Sequence, residues 1–330
     1  MRTKNKKCVL ILPYFGQFNN YFPLFLKSCE ANPTYTWMIF TDNEFDYICP
    51  ENVRVIKTTL DCVRNTANEK FGFKVALESP YKLCDYKPAY GFLFEEFITE
   101  FEYWGHCDCD LIFGNLAKHV TPLLNEGYDK LFAAGHLTIY KNTYENNRRF
   151  MKTFEGRYLY KEAFTTNSIF VFDEDCNCHD NVHGVFSEDG AKIYESDLSM
   201  NPSVFSAKFI RAFCDVSKHD FVSEEYKKAR YYWNNGNILR IEWNGTKLVQ
   251  TEFAYIHLQM RKMRVKVSLK DTCYEILPDR FVKRNLPRNR NEMHLLTVGW
   301  SYLYWIDNYK KRLNKLLKRI VRRPAMKSQS

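Results

Sequence analysis

The stretch Trp104-Gly105-His106-Cys107-Asp108-Cys109-Asp110-Leu111-Ile112-Phe113-Gly114 places two carboxylates in the middle of an apolar run. The run reads as a β-strand from Trp104 to Phe113. In extended chain, residues i and i+2 point to the same side, so Asp108 and Asp110 face one another. Like charges this close raise the cost of ionising each other. A hard cation, Mg²⁺ or Mn²⁺, resolves that conflict and shares its remaining coordination positions with phosphate oxygens. The chemistry this suits is departure of a nucleoside diphosphate, whose charge must be neutralised as the bond to it breaks.

Working outward, the upstream chain alternates strands and helices. Cys8–Leu12 is a short apolar run ending at Pro13-Tyr14-Phe15-Gly16, and Tyr21–Cys29 follows with helical spacing. Tyr35–Phe40 is rich in β-formers and ends at the turn Thr41-Asp42-Asn43, Val53–Ile56 alternates as a third strand, and Ala89–Phe101 has the pattern of an amphipathic helix. This alternation predicts a mostly parallel α/β sheet, with ligands beyond the carboxyl ends of its strands. The loops at Pro13, Thr41 and Asp108 would then converge on one crevice. Downstream, Lys130–Tyr140 and Ser168–Phe172 are strand candidates, and Asp173–Asp189 is an acidic loop. Ile238–Trp243 and Lys247–Phe253 flank an Asn244-Gly245 hairpin turn, and Phe253–Leu258 leads into the basic stretch Arg261–Lys266. The expected division is a catalytic domain over 1–265, with a nucleotide-binding half (1–115) and an acceptor half (116–265), and an extension over 266–330.

Composition bounds the class. The chain has 330 residues, 45% hydrophobic and 26% charged, as in ordinary globular proteins. No run of 18 apolar residues occurs, and the apolar run after Lys7 is too short for a signal peptide, so a cytoplasmic location is expected. Eleven cysteines, an odd number at irregular spacing, fit free thiols. Cys107, Cys109, Cys176 and Cys178 with His179 are the alternative, a thiolate zinc site, but their spacing is not that of a finger. The net charge is +9, and Asn308–Ser330 holds nine basic residues and no acidic ones, so 9 − 9 leaves the rest formally neutral. Within that tail Leu313, Leu316, Leu317, Ile320 and Val321 follow helical spacing beneath a Lys/Arg face, and Trp300, Tyr302, Tyr304 and Trp305 precede it. A basic amphipathic helix on an anionic membrane surface is expected, and nucleic acid is not.

Two further segments carry polar groups that suit a nucleotide. In Tyr81–Gly91, Lys82 or Lys87 would meet a phosphate and Asp85 a ribose hydroxyl or base; the alternative is a polar loop before a helix, with Pro88 near its first turn. In Phe253–Met263, His257, Gln259 and Arg261 alternate on one strand face, a wall for a diphosphate and a metal. Asp173 and Glu174 are candidates for a base that takes the acceptor proton, with Glu188 and Asp189 behind them; an acidic turn is the competing reading.

These segments resemble a family of bacterial glycosyltransferase-like proteins from surface-polysaccharide (capsule and O-antigen) gene clusters. The matching stretches are Pro13–Gly16, Tyr81–Gly91, Trp104–Gly114, Gly135-His136 and Tyr255–Met263, in order, over roughly Lys7 to Met263. The resemblance implies a GT-A-like, Rossmann-like mixed sheet with flanking helices and a nucleotide-diphospho-sugar donor, here a UDP-sugar. It implies that Asp108 and Asp110 handle ribose and metal, with His257 as a third metal or diphosphate contact. Pro13, Tyr14, Phe15, Thr41, Asp42 and Asp85 would line the nucleotide pocket, together with Lys82, Lys87, Gln259, Arg261 and Lys262. His136 and Trp104 would lie near the sugars. The chain departs from the family after Phe172-Asp173-Glu174, where Asp175-Cys176-Asn177-Cys178 replaces a Trp and Gly. The expected activity is metal-dependent transfer of a hexose to a glycan or lipid-linked glycan at the inner face of the cytoplasmic membrane. A phosphohydrolase using the same Asp pair and a basic-tailed nucleic-acid-binding protein are the rival readings.

Overall fold

The computed structural model describes residues 6–175, 179–203, 208–259 and 261–295, together with residues 306, 309, 310 and 313. The first apolar run forms β1 (Lys6–Pro13). Its Cys8, Leu10 and Leu12 enter one core while Val9 and Ile11 enter another. Burial on both faces explains why the run is continuous rather than alternating. Then come α1 (Phe22–Glu30), β2 (Tyr35–Thr41), β3 (Val53–Lys57) and α2 (Leu60–Phe71). The Thr59 side chain accepts the Cys62 N–H at the start of α2, and Gly72 closes it with φ 70°. β4 (Phe101–Cys107) lies beside β1, and β3, β2, β1 and β4 are mutually parallel, so their carboxyl ends share one edge.

Beyond β4 the sheet becomes mixed. β5 (Leu111–Phe113) leaves it, while β6 (Lys130–Leu131), β7 (Leu137–Lys141) and β8 (Ile193–Tyr194) extend it to the order β3-β2-β1-β4-β7-β6-β8. β7 runs antiparallel to both β4 and β6. β9 (Ser199–Met200) precedes a two-stranded ribbon of β10 (Ala212–Asp215) and β11 (Asp220–Ser223). A six-stranded sheet follows. Its members are β12 (Ala229–Asn234), β13 (Asn237–Trp243) and β14 (Leu248–Phe253), then, after β15 (Tyr255–His257), β16 (Arg264–Lys266), β17 (Cys273–Leu277) and β18 (Arg280–Val282), in the order β14-β13-β12-β17-β18-β16. This sheet runs across residue 265. The hairpin expected at Asn244-Gly245 joins β13 to β14, with Gly245 at φ 100°. Finally β15 pairs with β5 on one side and β9 on the other, a small sheet between the two large ones.

Five local expectations are corrected. Trp104–Phe113 is not one strand: the chain turns at Asp108–Asp110 and passes from the first sheet into the small one. Ala89–Phe101 is not one helix but a string of short turns. Phe94 and Ile98 both adopt φ −112°, and Asn142 donates to the Ile98 and Phe101 carbonyls, taking up groups a continuing helix would use. Lys130–Tyr140 folds back on itself as β6 and β7, with Phe132 at φ 71° in the turn. Ser168–Phe172 is not a strand, because the Phe170 and Phe172 N–H groups bind the Asp85 carboxylate instead of a neighbouring strand. Part of the expected acidic loop, Val182–Glu188, is helical, capped by the Asn181 side chain.

Among the described residues no helix is long and apolar enough to cross a membrane. The expected amphipathic helix from Leu313 to Val321, the aromatics Trp300 to Trp305, and Cys176 and Cys178 lie outside the described residues, apart from Leu313 itself. Gly91 is fixed by close packing rather than by its dihedral angles: a Cβ there would lie 2.1 Å from Cε2 of the Trp104 indole. Trp104 is itself 1% exposed and stacked on Tyr140. Gly91→Ala is therefore expected to destabilise the fold by about 1–3 kcal/mol through overpacking, measured by urea unfolding.

Candidate active site

The turn between β4 and β5 lies at the carboxyl edge of the parallel strands. Its backbone is held from both sides: the Asp108 N–H donates to the His136 carbonyl (3.1 Å), and the Asp110 carbonyl accepts the Leu258 N–H (3.0 Å). Pairing of β15 with β5 sets His257 opposite Leu111, one residue from Asp110. Asp108, Asp110 and His257 thus offer ligand atoms all within 4.8 Å of one another. His257 Nε2 is 3.3 Å from Asp110 Oδ1 and 3.9 Å from Asp108 Oδ2. Its other nitrogen, Nδ1, lies 3.1 Å from Asn201 Oδ1, an acceptor, which assigns the ring proton to Nδ1 and leaves Nε2 facing the carboxylates. Burial opposes charge on this imidazole, but Asp110 and then Asp108 outweigh it and raise its pKa. Two carboxylates and one imidazole fit Mn²⁺ or Mg²⁺, oxygen-seeking cations of which the first also accepts nitrogen.

Lys87 closes the next layer. Its Nζ is 2.8 Å from Asp108 Oδ1 and 3.1 Å from Asp173 Oδ2, and it donates to the Gly135 carbonyl at 2.9 Å. One ammonium therefore ties the Asp turn, the Asp173 segment and the β6–β7 turn together. Burial alone would lower its pKa; Asp108 and Asp173 raise it well above the ordinary value. Asp108 takes the shorter contact, so for Asp173 burial wins over the pull of Lys87 and lifts its pKa to about 7, with Glu174 adding to the rise. Glu174 in turn accepts the Gly135 N–H (3.2 Å).

Lys82 and Asp85 hold this arrangement from behind. Both are buried, with Lys82 Nζ 2.7 Å from Asp85 Oδ2. Lys82 also donates to the Ser168 carbonyl (2.6 Å), and Asp85 accepts the N–H groups of Phe170 and Phe172, each at 2.9 Å. Between those two bonds Val171 has φ 66°, a left-handed conformation that is unusual for a β-branched residue and costs about 1–3 kcal/mol. Phe132 and Gln259, at φ 71° and 52°, flank the other two segments of the site. Cys84, Asp85 and Asp173 also lie within 4.8 Å of one another, but Lys82 and Lys87 already balance those carboxylates.

The remaining expected residues divide. The loop after β1 reaches the site: the Tyr14 N–H binds the Phe40 carbonyl, Tyr14 packs near Cys109, and Asn19 donates to the Cys109 carbonyl. Pro13 and Phe15 are buried at its base. Thr41 is buried, with its hydroxyl accepting from Asn43, while Asp42 is exposed. His136 lies against the site, only 3% exposed, its ring 4.6 Å from that of His257 and its Nδ1 2.9 Å from the Tyr255 hydroxyl. The structure does not bring Trp104 to the site; its ring is in the core and its N–H binds Asn147. Lys82 and Asp85 are committed to each other and to backbone, so the phosphate and ribose contacts expected of them do not fit their burial. Gln259 and Arg261 do not continue the strand face, since β15 ends at His257. Gln259 donates to Asn201 (2.6 Å), Arg261 donates to the Ser203 carbonyl (3.0 Å), and Lys262 is exposed.

Sequence reading did not find Asn201 or Asn19, and gave Tyr255 no role although it opens the Tyr255–Met263 stretch. No local motif marks the two asparagines; Asn201 meets His257 because β9 pairs in parallel with β15. Asp85→Ala should leave a buried ammonium and two unpaired N–H groups. A loss of about 3–5 kcal/mol in urea unfolding is expected, and a change under 1 kcal/mol would contradict the clamp.

No curated protein matches the sequence. Among solved structures, the galactosyltransferase LgtC in complex with donor and acceptor sugar analogs is similar at 8% identity and TM-score 0.32, over 60% of this chain and 77% of that one. Over residues 10–285 the sequence matches the profile of DUF6625, and the chain belongs to that family of unknown function.

Proposed function

We propose that the chain is a metal-dependent glycosyltransferase that moves a hexose from a nucleotide-diphosphate sugar to a glycan or lipid-linked glycan. The observation that carries this reading is the trio Asp108, Asp110 and His257 at the carboxyl edge of a parallel sheet, where α/β folds bind nucleotides. A GT-A-like arrangement and a UDP donor follow from the same reading and from the ordered motifs between Pro13 and Met263.

In this proposal Asp108, Asp110 and His257 would hold Mn²⁺ or Mg²⁺, and the cation would supply positive charge for a diphosphate leaving group. The loop Pro13–Phe15 and the turn Thr41-Asp42 receive the nucleoside. Lys87 keeps Asp108 oriented and offers positive charge beside the diphosphate. His136 Nε2 is buried and has no hydrogen-bond partner among the described residues, which suits a hydrogen bond to the donor sugar. Asp173, with a pKa lifted to about 7, is suited to take the acceptor proton in an inverting reaction near neutral pH. A retaining reaction would not require that base. The basic tail, nine Lys or Arg residues and no acid between Asn308 and Ser330, is proposed to hold the enzyme at an anionic membrane surface.

Thermal unfolding with UDP or UDP-sugars tests the donor and the metal together. Ligand at 100 times its Kd adds about 2.7 kcal/mol of stability. The shift should need Mn²⁺, vanish in EDTA, and vanish in a folded Asp108→Asn/Asp110→Asn protein. A shift that survives EDTA would remove the metal from the proposal. Release of inorganic phosphate without an acceptor would favour a hydrolase. Truncation before Asn308 should abolish co-flotation with phosphatidylserine-containing vesicles while leaving the nucleotide shift unchanged; unaltered flotation would refute the membrane role of the tail.

A further inference from the structure

Tyr81 is 75% exposed, the most exposed aromatic side chain among the described residues. The other strongly exposed tyrosines whose surroundings are described each have a cation over the ring. Arg148 covers Tyr144 at 3.8 Å, Lys161 covers Tyr158 at 5.0 Å, and Lys208 covers Tyr226 at 4.5 Å. No cation and no second ring meets Tyr81 among the described residues. Its surroundings are nevertheless well built. The neighbouring Lys82 donates to the Ser168 carbonyl, so Tyr81 and the partly exposed Ile169 (39%) each stand one residue from that bond. The Asp85 clamp and the left-handed Val171 hold the same segment in place and aim Asp173 at Lys87. The Tyr81 phenol also feels the site: its pKa is raised by burial first, then by Cys84 and Asp173.

We infer that the turn Ser79–Lys82 and the segment Ser168–Glu174 form the acceptor subsite, with the Tyr81 ring as the platform for a neutral pyranose. This rests on the transferase reading above and gives it an acceptor class. A pyranose has a face of C–H groups that lies flat on an aromatic ring, while its hydroxyls project from the edge. Stacked on Tyr81, such a sugar turns an edge hydroxyl toward Asp173 and Glu174. Lys87 balances Asp173, so Glu174 is the carboxylate that disfavours a uronic or sialic acid, and the subsite selects an uncharged sugar. The platform needs no reorganisation on binding, because its backbone is already fixed by Lys82 and Asp85.

Saturation-transfer NMR tests this with methyl β-galactoside, methyl β-glucoside and methyl β-glucuronide, in the presence of UDP and Mn²⁺. At least one neutral glycoside should bind wild type, and the glucuronide should not. Tyr81→Ala should weaken that binding by about three- to tenfold, and Tyr81→Phe should keep it within about twofold. Equal binding by Tyr81→Ala overturns the inference. So does an equal loss in Tyr81→Phe, a preference for the glucuronide, or no binding of either neutral glycoside. The nucleotide-dependent thermal shift, read on the same samples, separates the two levels. A normal shift without Tyr81-dependent sugar binding removes the subsite alone. Tyr81-dependent sugar binding without any nucleotide shift keeps the subsite and removes the nucleotide-sugar donor.

Discussion

Three ionisable side chains within 4.8 Å of one another, two of them carboxylates, set the terms for everything around them. Asp108 and Asp110 repel each other, and neither can move away, because the turn that carries them is bonded to His136 on one side and Leu258 on the other. That turn is also where the chain leaves the first sheet for the small one. The fold brings compensating charge to the same place: His257 through β15 and Lys87 from the segment before β4. Removing any one of these would leave the others with the wrong charge balance in a partly buried setting.

The layer behind the site trades stability for shape. A buried Lys82–Asp85 pair is weak evidence of stabilisation, since desolvation offsets much of the attraction. Its geometry is better explained by what it holds. Asp85 accepts the N–H groups on both sides of Val171, and Lys82 donates to the carbonyl of Ser168, so a segment without strand partners is fixed in one strained conformation. Left-handed non-glycine residues also mark the segments carrying His136 and His257. Strain of this kind persists only where surrounding bonds over-determine the backbone, and here three strained segments border one cluster of charge. Specificity of shape accounts for these features; a stability role alone does not.

Much of the frame was legible in the residues. The apolar run of β1, the helical spacing of α1, the turn-bounded β2 and the Asn244-Gly245 hairpin follow from local periodicity and turn chemistry, which short-range sterics dictate. The Asp pair and His257 were legible as chemistry, but alternation along one strand is not what pairs the two carboxylates. The two carboxylates meet across a turn. Other misreadings share one cause. Ala89–Phe101, Ser168–Phe172 and Trp104 have the pattern of elements or surfaces, but side chains distant in sequence override it: Asn142 caps carbonyls, Asp85 captures N–H groups, and Gly91 admits the Trp104 ring into the core.

By itself, the sequence determined which groups could carry the chemistry and where β1, β2 and β3 lie, because residue type and short-range periodicity act within a few residues. Tertiary structure alone decided which of those groups meet. Lys82, Asp85 and Lys87 look equivalent along the chain, yet the first two are sealed into a clamp and the third reaches the carboxylates. Asn201 has no local signal at all, and acquires its place beside His257 from the parallel pairing of β9 with β15. The physical reason is that burial, charge and hydrogen bonding are set by spatial neighbours, and in a mixed sheet those neighbours are tens to hundreds of residues away.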